Sequence, residues 1–166
     1  MRVREHTADD DLVPLLLRVH ARDGYPLHAT PGQATAFLAS GRRVAAWVAE
    51  QDGRLVGHVA LHHDPAHPTL AVAAERTGLR VEALALVARL FVDPDSQRDG
   101  VGRTLLRHAV EQAQSRGLRA VLDVGQTLHA AVALYEAEGW TRVTDLHPTY
   151  DDVVLDLWLY LSPTPT

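Results

Sequence analysis

The segment from Leu90 to Leu106 contains the residue types that bind a phosphate group. It reads Leu-Phe-Val-Asp-Pro-Asp-Ser-Gln-Arg-Asp-Gly-Val-Gly-Arg-Thr-Leu-Leu, which is an apolar strand, a glycine-bearing turn and the start of a helix. Gly100 and Gly102 allow positive φ and close backbone approach. The first N–H groups of a helix lack intrahelical partners and lie at the positive end of its dipole, and Arg98 and Arg103 add charge. The pattern favours a phosphate site, although a plain strand-to-helix turn with solvent-facing arginines has the same sequence features.

Two nucleotide-binding motifs can be compared with this turn. A P-loop requires a lysine, and the chain has none. The dinucleotide motif Gly-x-Gly-x-x-Gly fails at Leu105, which occupies the third glycine position. Asp123 follows about 20 residues later, where a ribose-binding acid would lie, so a nicotinamide alternative stays open. The antiparallel hairpin predicted ahead of the central strand argues against it.

Histidines offer a second chemistry. His58, His62, His63 and His67 lie close together in sequence with Asp64, and these side chains are suitable zinc ligands. Their spacing along a strand and a proline-containing loop does not define a tetrahedral site. We therefore predict no metal site and interpret them as surface or substrate-side histidines.

The phosphate turn must be positioned by a central strand and a helix. The nearly continuous apolar run from Val81 to Val92 predicts a strand buried on both faces. Helical spacing of apolar residues follows until Gly117, and a further strand is predicted from Leu118 to Val124. A strand, crossover helix and strand make a parallel pair.

The remaining patterns complete a mixed sheet of about seven strands with about four helices, an α/β (α+β) fold in a single domain over residues 1–161 with a frayed tail at 162–166. Asp52-Gly53 between two apolar runs predicts a hairpin. We expect a strand near Val3 and helices from Asp10 or Asp11 to about Ala21, from Pro31 to about Ser40 with Thr30 as its cap, and from His129 to Glu138. We also expect a hairpin of Val44–Gln51 with Arg54–His62, a long loop from His63 to Arg80, and closing strands at Trp140–Val143 and Asp152–Leu161.

Two motifs together resemble the GNAT family of N-acetyltransferases. Gln97-x-x-Gly100-x-Gly102, after a strand ending Leu-Phe-Val-x-Pro, is similar to the acetyl-CoA signature of that family. Downstream, Ala131-x-x-Leu134-Tyr135-x-x-x-Gly-Trp is similar to its second motif. The order of elements matches over nearly the whole chain. The resemblance implies a GNAT-like fold and transfer of an acetyl group from acetyl-CoA to an amine in a ternary complex.

The resemblance also implies how acetyl-CoA binds. The pantetheine arm would pair with the strand backbone, and the N–H of Phe91 or Val92 could face the thioester oxygen as charge develops there. The pyrophosphate would lie on the N–H groups of the turn. The implied cofactor-binding residues are Leu90, Phe91, Val92, Gln97, Arg98, Asp99, Gly100, Val101, Gly102, Arg103 and Thr104.

The matching family tyrosine protonates the departing CoA thiolate, so Tyr135 is the predicted general acid. Glu82, at the start of the central strand, is a candidate base, although an exposed strand-end charge is the simpler interpretation. The histidines at 58, 62, 63 and 129 are alternatives, and an amine of low pKa needs no base. The family often has Asn at the position of Leu128, so that one contact is lost here.

The acceptor amine is not identified by the sequence. Tyr25, His28 and Tyr150 lie on loops that build the acceptor site in this family, where the tyrosines could wall a slot for a small-molecule or peptide amine. Equally, they could pack within their loops. The net charge of −5 mildly attracts cationic amines and argues against nucleic-acid binding.

Composition narrows the class of protein. Hydrophobic residues are 46% and charged residues 22% of the 166, typical of a folded domain. There is no cysteine, so disulfides and thiolate chemistry are excluded. No signal peptide or membrane span is visible, so we expect a cytoplasmic protein. The absence of Lys, Asn and Ile suggests a GC-rich genome and a bacterial source.

The alternative function is a catalytically silent CoA-binding sensor. The last predicted strand could also pair across a homodimer.

Overall fold

The computed structural model describes residues 1–26 and 30–165. Its strands are β1 (Arg2–Glu5), β2 (Arg43–Gln51), β3 (Arg54–His62), β4 (Leu84–Val92), β5 (Arg119–Gly125), β6 (Thr141–Leu146), β7 (Thr149–Tyr150), β8 (Val153–Val154) and β9 (Leu157–Leu161). Its helices are α1 (Val13–Asp23), α2 (Pro31–Ala39), α3 (Pro68–Thr77), α4 (Val101–Ser115) and α5 (His129–Ala137).

The described residues form two compact units. The first comprises residues 1–62 and 89–109, and the second comprises residues 63–88 and those from 110 onward. β4 and α4 each have one end in either unit. The assignment of residues 1–161 to one domain stays a prediction.

The first unit is built on an antiparallel hairpin. β1 pairs with β2, and β2 pairs with β3, whose turn is formed by Asp52 and Gly53. Both turn residues have positive φ, 52° and 74°, which gives the hairpin the twist of its strands. The predicted hairpin is confirmed, with β2 starting one residue earlier.

Two helices cover an apolar cluster in this unit. α2 begins with the predicted cap: Thr30 Oγ1 accepts from Gln33 N at 3.3 Å, and Gln33 Oε1 accepts from Thr30 N at 2.9 Å. α1 starts at Val13, later than predicted: Asp11 Oδ1 accepts from Val13 N at 3.2 Å, while Asp10 accepts from Arg4 and from Thr7 N ahead of the helix. The buried cluster consists of Leu12, Leu15, Leu16, Val19, Ala34, Val48 and Phe91.

β3 approaches the first turn of α4 closely at Gly57. A Cβ atom added there would lie 2.8 Å from Leu105 Cδ1 and 2.9 Å from Val101 Cγ1. These distances are too short for any side chain without movement. Gly57 therefore lets the first turn of α4 pack directly against β3.

The second unit contains the parallel pair. The first half of β4 pairs with β5 from Leu84↔Arg119 to Leu86↔Val121, and β9 lies antiparallel between β5 and β6. The fold-class prediction, a mixed sheet of seven strands with a parallel pair joined by a crossover helix, is confirmed. β7 and β8 form a separate two-stranded ribbon.

Two sequence-based element predictions are wrong. Residues 63–80 are not a long loop, because α3 lies within them: Pro68 occupies its first turn and His67 Nδ1 accepts from Thr69 N at 3.1 Å. Pro favours the first turn of a helix, so His67-Pro68 is a helix start. The strand predicted from Asp152 to Leu161 is broken at residues 155–156 into β8 and β9, and Asp152 belongs with Asp151 to the positive-φ turn that precedes β8.

Smaller differences concern element ends. β4 begins at Leu84, after a 3-10 turn at Val81–Ala83, rather than at Val81. β6 extends to Leu146, beyond the predicted Val143. In the part of the chain that the structure describes, no helix has the length and apolar character needed to cross a membrane.

Candidate functional site

The predicted phosphate turn is an elbow between β4 and α4 in the first unit. β4 ends at Val92, a 3-10 turn covers Pro94–Ser96, and Gly100 has φ of 76° immediately before the helix. The first intrahelical bond runs from Thr104 N to Gly100 O at 3.0 Å. The N–H groups of Val101, which is buried, and of Gly102, which is half-buried, therefore precede the hydrogen-bond ladder of α4, an arrangement typical of anion sites.

The start of the elbow is fixed by Asp93, which is buried. Its N–H donates to Val56 O at 2.8 Å, and its carboxylate accepts from Asp95 N at 3.0 Å and from the Arg18 guanidinium. Burial alone would raise the pKa of Asp93, but the Asp95 N–H and Arg18 hold it below its ordinary value. A charged, tethered carboxylate sets the path of the chain as it leaves the sheet.

The predicted cofactor-binding residues differ in exposure. Phe91 and Val101 are buried, whereas Leu90, Val92 and Gly102 are half-buried. The side chains at 97, 98, 99, 103 and 104 are exposed together with Gly100. Backbone groups are thus the fixed donors at this elbow, and its side chains lie in solvent.

An acidic groove adjoins the elbow in the same unit. Its carboxylates come from Asp52, Asp93, Asp95 and Asp99, with Arg54 as the cation among its lining residues. Such a groove repels phosphate. The helix N-terminus, and not this groove, is therefore the candidate anion site.

β4 carries a backbone irregularity that the apolar pattern did not predict. Arg89 has φ of 52° within the strand, a left-handed conformation that is unfavourable for any residue except glycine. Its side chain is anchored on the end of α2, where Nε donates to Phe37 O at 2.8 Å and the guanidinium lies 4.7 Å from the Phe37 ring centre. Nη2 also contacts Ser40 Oγ at 2.5 Å.

His58 lies beneath this irregularity and is 2% exposed. Its Nδ1 is 2.8 Å from Arg89 O, and its ring stacks on Phe91 with centroids 5.0 Å apart. Burial lowers the pKa of His58 to about 4, outweighing the Arg89 carbonyl, which acts in the opposite direction. The imidazole is therefore neutral at pH 7.

Tyr135 lies in the second unit, on α5. Its ring is 7% exposed and lies 6.1 Å from the ring centres of both Trp140 and Tyr160. Burial, and then the charge of Asp123, raises the pKa of the Tyr135 hydroxyl well above its ordinary value. The phenol therefore keeps its proton throughout the physiological range.

Asp123 is a carboxylate whose charge acts on Tyr135, a role that its sequence position, suited to a ribose-binding acid, does not indicate. It is half-buried on β5 and accepts a hydrogen bond from Thr69 Oγ1 at 2.7 Å. Thr69 belongs to α3, the helix missing from the predicted elements, so no sequence signal connected the two residues. The structure thus places a carboxylate close enough to the Tyr135 phenol to affect its pKa.

The other predicted residues are not all placed in a site. Glu82 lies exposed in the 3-10 turn ahead of β4. Tyr25 packs edge-on against Phe37, with ring centres 5.7 Å apart, and Tyr150 is 58% exposed on β7. His28 lies outside the described residues.

The clustered histidines have structural partners. His63 Nδ1 is 2.9 Å from Leu84 O, His67 caps α3, and both ring nitrogens of His62 lie within 3.4 Å of Arg89 Nη1. Among the residues that the structure describes, no three His, Asp or Glu side chains are arranged to hold a metal ion. Their proximity in sequence does not become a common coordination site.

The chain was compared with known proteins. A model described as the Acetyltransferase (GNAT) family matches residues 14–140. A curated relative, the ribosomal protein bS18-alanine N-acetyltransferase of Escherichia coli (strain K12), is 39% identical over 71 residues, which are 40% of this chain and 48% of the relative. The chain spans about half the length of the curated relatives it matches.

Solved structures share the fold. The ribosomal-protein-S18-alanine N-acetyltransferase from Escherichia coli superposes with a TM-score of 0.66 at 23% identity, covering 98% of this chain and 92% of that one. Arabidopsis thaliana NAA60, solved in complex with acetyl-CoA, gives a TM-score of 0.69 at 18% identity and covers 96% of both chains. The likeness is of fold, over almost the whole length.

We predict that His58 makes stability depend on pH. As pH falls below 6.5, the ordinary pKa of histidine, His58 becomes protonated in the unfolded chain, whereas in the folded chain it stays neutral until about pH 4. The free energy of unfolding therefore decreases as pH falls from 6.5 to about 4. At pH 5 the loss reaches up to about 2 kcal/mol. Urea unfolding of the wild type at pH 7 and pH 5 measures the change, which we expect to shrink in His58→Leu. An equal change in both proteins would contradict the prediction.

Proposed function

The chain belongs to the GNAT acetyltransferase family, and from this we propose that it transfers an acetyl group from acetyl-CoA to a primary amine of a small molecule or peptide. The observation that carries the proposal is the elbow after β4, where Gly100 turns the chain and the first N–H groups of α4 lie ahead of its hydrogen bonds. A helix N-terminus of this kind suits a diphosphate. Acetyl-CoA supplies a diphosphate at one end and a reactive thioester at the other.

Binding rests on the main chain of the first unit. The diphosphate would accept hydrogen bonds from the N–H groups at the start of α4, including Val101 and Gly102. The pantetheine arm would pair with β4 near Leu90 and Val92, both half-buried. Arg98 and Arg103 are exposed and contribute charge rather than fixed geometry.

The chemistry is direct attack of the neutral amine on the thioester carbonyl. A nitrogen–carbon bond forms, the carbon–sulfur bond breaks, and a backbone N–H of Phe91 or Val92 stabilises the transient oxyanion. Tyr135 gives its proton to the departing CoA thiolate. The phenol carries its proton at pH 7, as this role requires, and its raised pKa makes it a weaker acid that donates only as the thiolate develops.

Asp123 is a stronger candidate than Glu82 for the base that deprotonates the incoming ammonium. It is held by Thr69 and acts electrostatically on Tyr135, whereas Glu82 is exposed. Asp123 would accept a proton from the ammonium, and Tyr135 would donate one to the CoA thiolate, within the same reaction.

The acceptor is proposed by chemical class. The Escherichia coli relative is named for an alanine of a ribosomal protein, which makes a peptide N-terminus the first amine to test. Tyr25 and Tyr150 stay candidate acceptor contacts. Small amines form the other half of the test panel, with thiol release as the readout.

Adding a carboxylate at the second residue of α4 should prevent acetyl-CoA binding. We expect Gly102→Asp to raise the Kd for acetyl-CoA at least about tenfold, since the new charge faces the diphosphate. Gly32→Asp is the matched control, because Gly32 is the second residue of α2 and has open space around it. Calorimetric titration measures both. Equal affinities in the two variants would remove the phosphate role of the elbow.

Loss of the Tyr135 hydroxyl should slow turnover while acetyl-CoA still binds. We expect Tyr135→Phe to lower kcat by about 100-fold, the lower range for general acid catalysis, with little change in Kd for acetyl-CoA. Tyr160→Phe is the control, because that hydroxyl bonds to Glu136 and Arg142. Acetyl-CoA binding by the wild type without thiol release from any amine would instead select the CoA-binding sensor.

The two candidate bases can be separated by substitution. We expect Asp123→Asn to lower kcat/KM by at least about 100-fold. Glu82→Gln should retain the rate. The opposite result would return the role to Glu82, and unaltered rates in both variants would indicate that the amine binds already deprotonated.

A further inference from the structure

We propose that His58 is a positioning residue that fixes the peptide bond between Arg89 and Leu90, and so sets which backbone donors β4 presents to acetyl-CoA. The inference rests on the proposed function. It adds a role for a buried imidazole that contributes no proton to the chemistry. All the contacts that carry it lie within the first unit.

The imidazole has a defined protonation state. It is buried, and a neutral ring carries a single N–H. Its Nδ1 lies 2.8 Å from Arg89 O, which can only accept. The hydrogen is therefore on Nδ1, and His58 donates to the carbonyl at the irregular point of the strand.

The direction of this carbonyl sets the direction of the next donor. A trans peptide is planar, and its C=O and N–H point in opposite directions. Holding Arg89 O on His58 therefore points the Leu90 N–H away from that imidazole. Without the bond, the peptide could rotate toward the regular strand conformation and change the pattern of donors.

The imidazole is itself held on two sides. Its ring stacks on Phe91, with 21° between the planes, and meets the edge of His6 at 88° with centroids 5.5 Å apart. Phe91 is the second residue after the irregular one. The ring thus contacts β4 by stacking and by hydrogen bonding, which fixes its rotation as well as its position.

The side chain of Arg89 is held as well as its carbonyl group. Its guanidinium bonds to Phe37 O and Ser40 Oγ at the end of α2. A left-handed φ in a strand is maintained only when surrounding contacts determine it. His58 holds the Arg89 carbonyl group and the end of α2 holds the Arg89 side chain. Contacts on both sides of the residue therefore maintain its left-handed φ.

The test compares two substitutions that differ in one donor. Asn places an amide nitrogen where His58 has Nδ1, whereas Leu places a methyl group there. We expect His58→Leu to lower kcat by about tenfold or more, because rotation of the Arg89–Leu90 peptide would redirect the following Phe91 and Val92 N–H groups that face the oxyanion, with the Kd for CoA within about threefold of wild type. His58→Asn should recover most of kcat.

Two results would overturn the inference: wild-type kcat in His58→Leu, or an equal loss of kcat in His58→Asn and His58→Leu. Should His58→Leu fail to fold, His58→Gln takes its place, since its amide lies one bond further from the backbone. The wild type is measured first. Failure of the wild type to bind acetyl-CoA or release thiol would overturn the proposed function, whereas active wild type with indistinguishable variants overturns this inference alone.

Discussion

Backbone hydrogen-bond donors are the constraint on which the first unit depends. Buried N–H groups must be paired, and the N–H groups of Val101 and Gly102 lie ahead of the first helical hydrogen bond of α4. The left-handed residue Arg89 interrupts β4, and Gly100 turns the chain before α4. A non-glycine residue in that conformation costs about 1–2 kcal/mol, which the contacts of His58 and α2 offset. The surrounding side chains serve mainly to hold this arrangement of main-chain groups.

The second unit has a different physical character. Here the candidate chemistry lies in side chains, and their environment sets their protonation. Packing against Trp140 and Tyr160 keeps water from the Tyr135 ring, and Asp123 adds a negative charge that disfavours the phenolate. α3 contributes Thr69, which fixes the carboxylate. The backbone elbow and the Tyr135–Asp123 environment are thus each held by their own set of contacts.

The sequence predicted elements whose signals are local. The Asp52-Gly53 hairpin, the Thr30 cap and the glycine elbow each follow from a few adjacent residues with known turn or cap preferences. α3 was missed because a proline was interpreted as a loop residue, although it is equally a helix-starting residue. The conformation of Arg89 could not be predicted, since contacts from Phe37 and His58, distant in sequence, determine it. The Thr69–Asp123 bond spans 54 positions and has no motif.

The exposed side chains of the elbow and its backbone differ in how well they tolerate mutation. Because the backbone defines the shape of the elbow, the exposed residues 98, 99, 103 and 104 can be exchanged with little effect on that shape. What mutation cannot easily alter is the number of residues in the turn and the glycine at its bend. An insertion of one residue there would do more harm than several exchanges of charge.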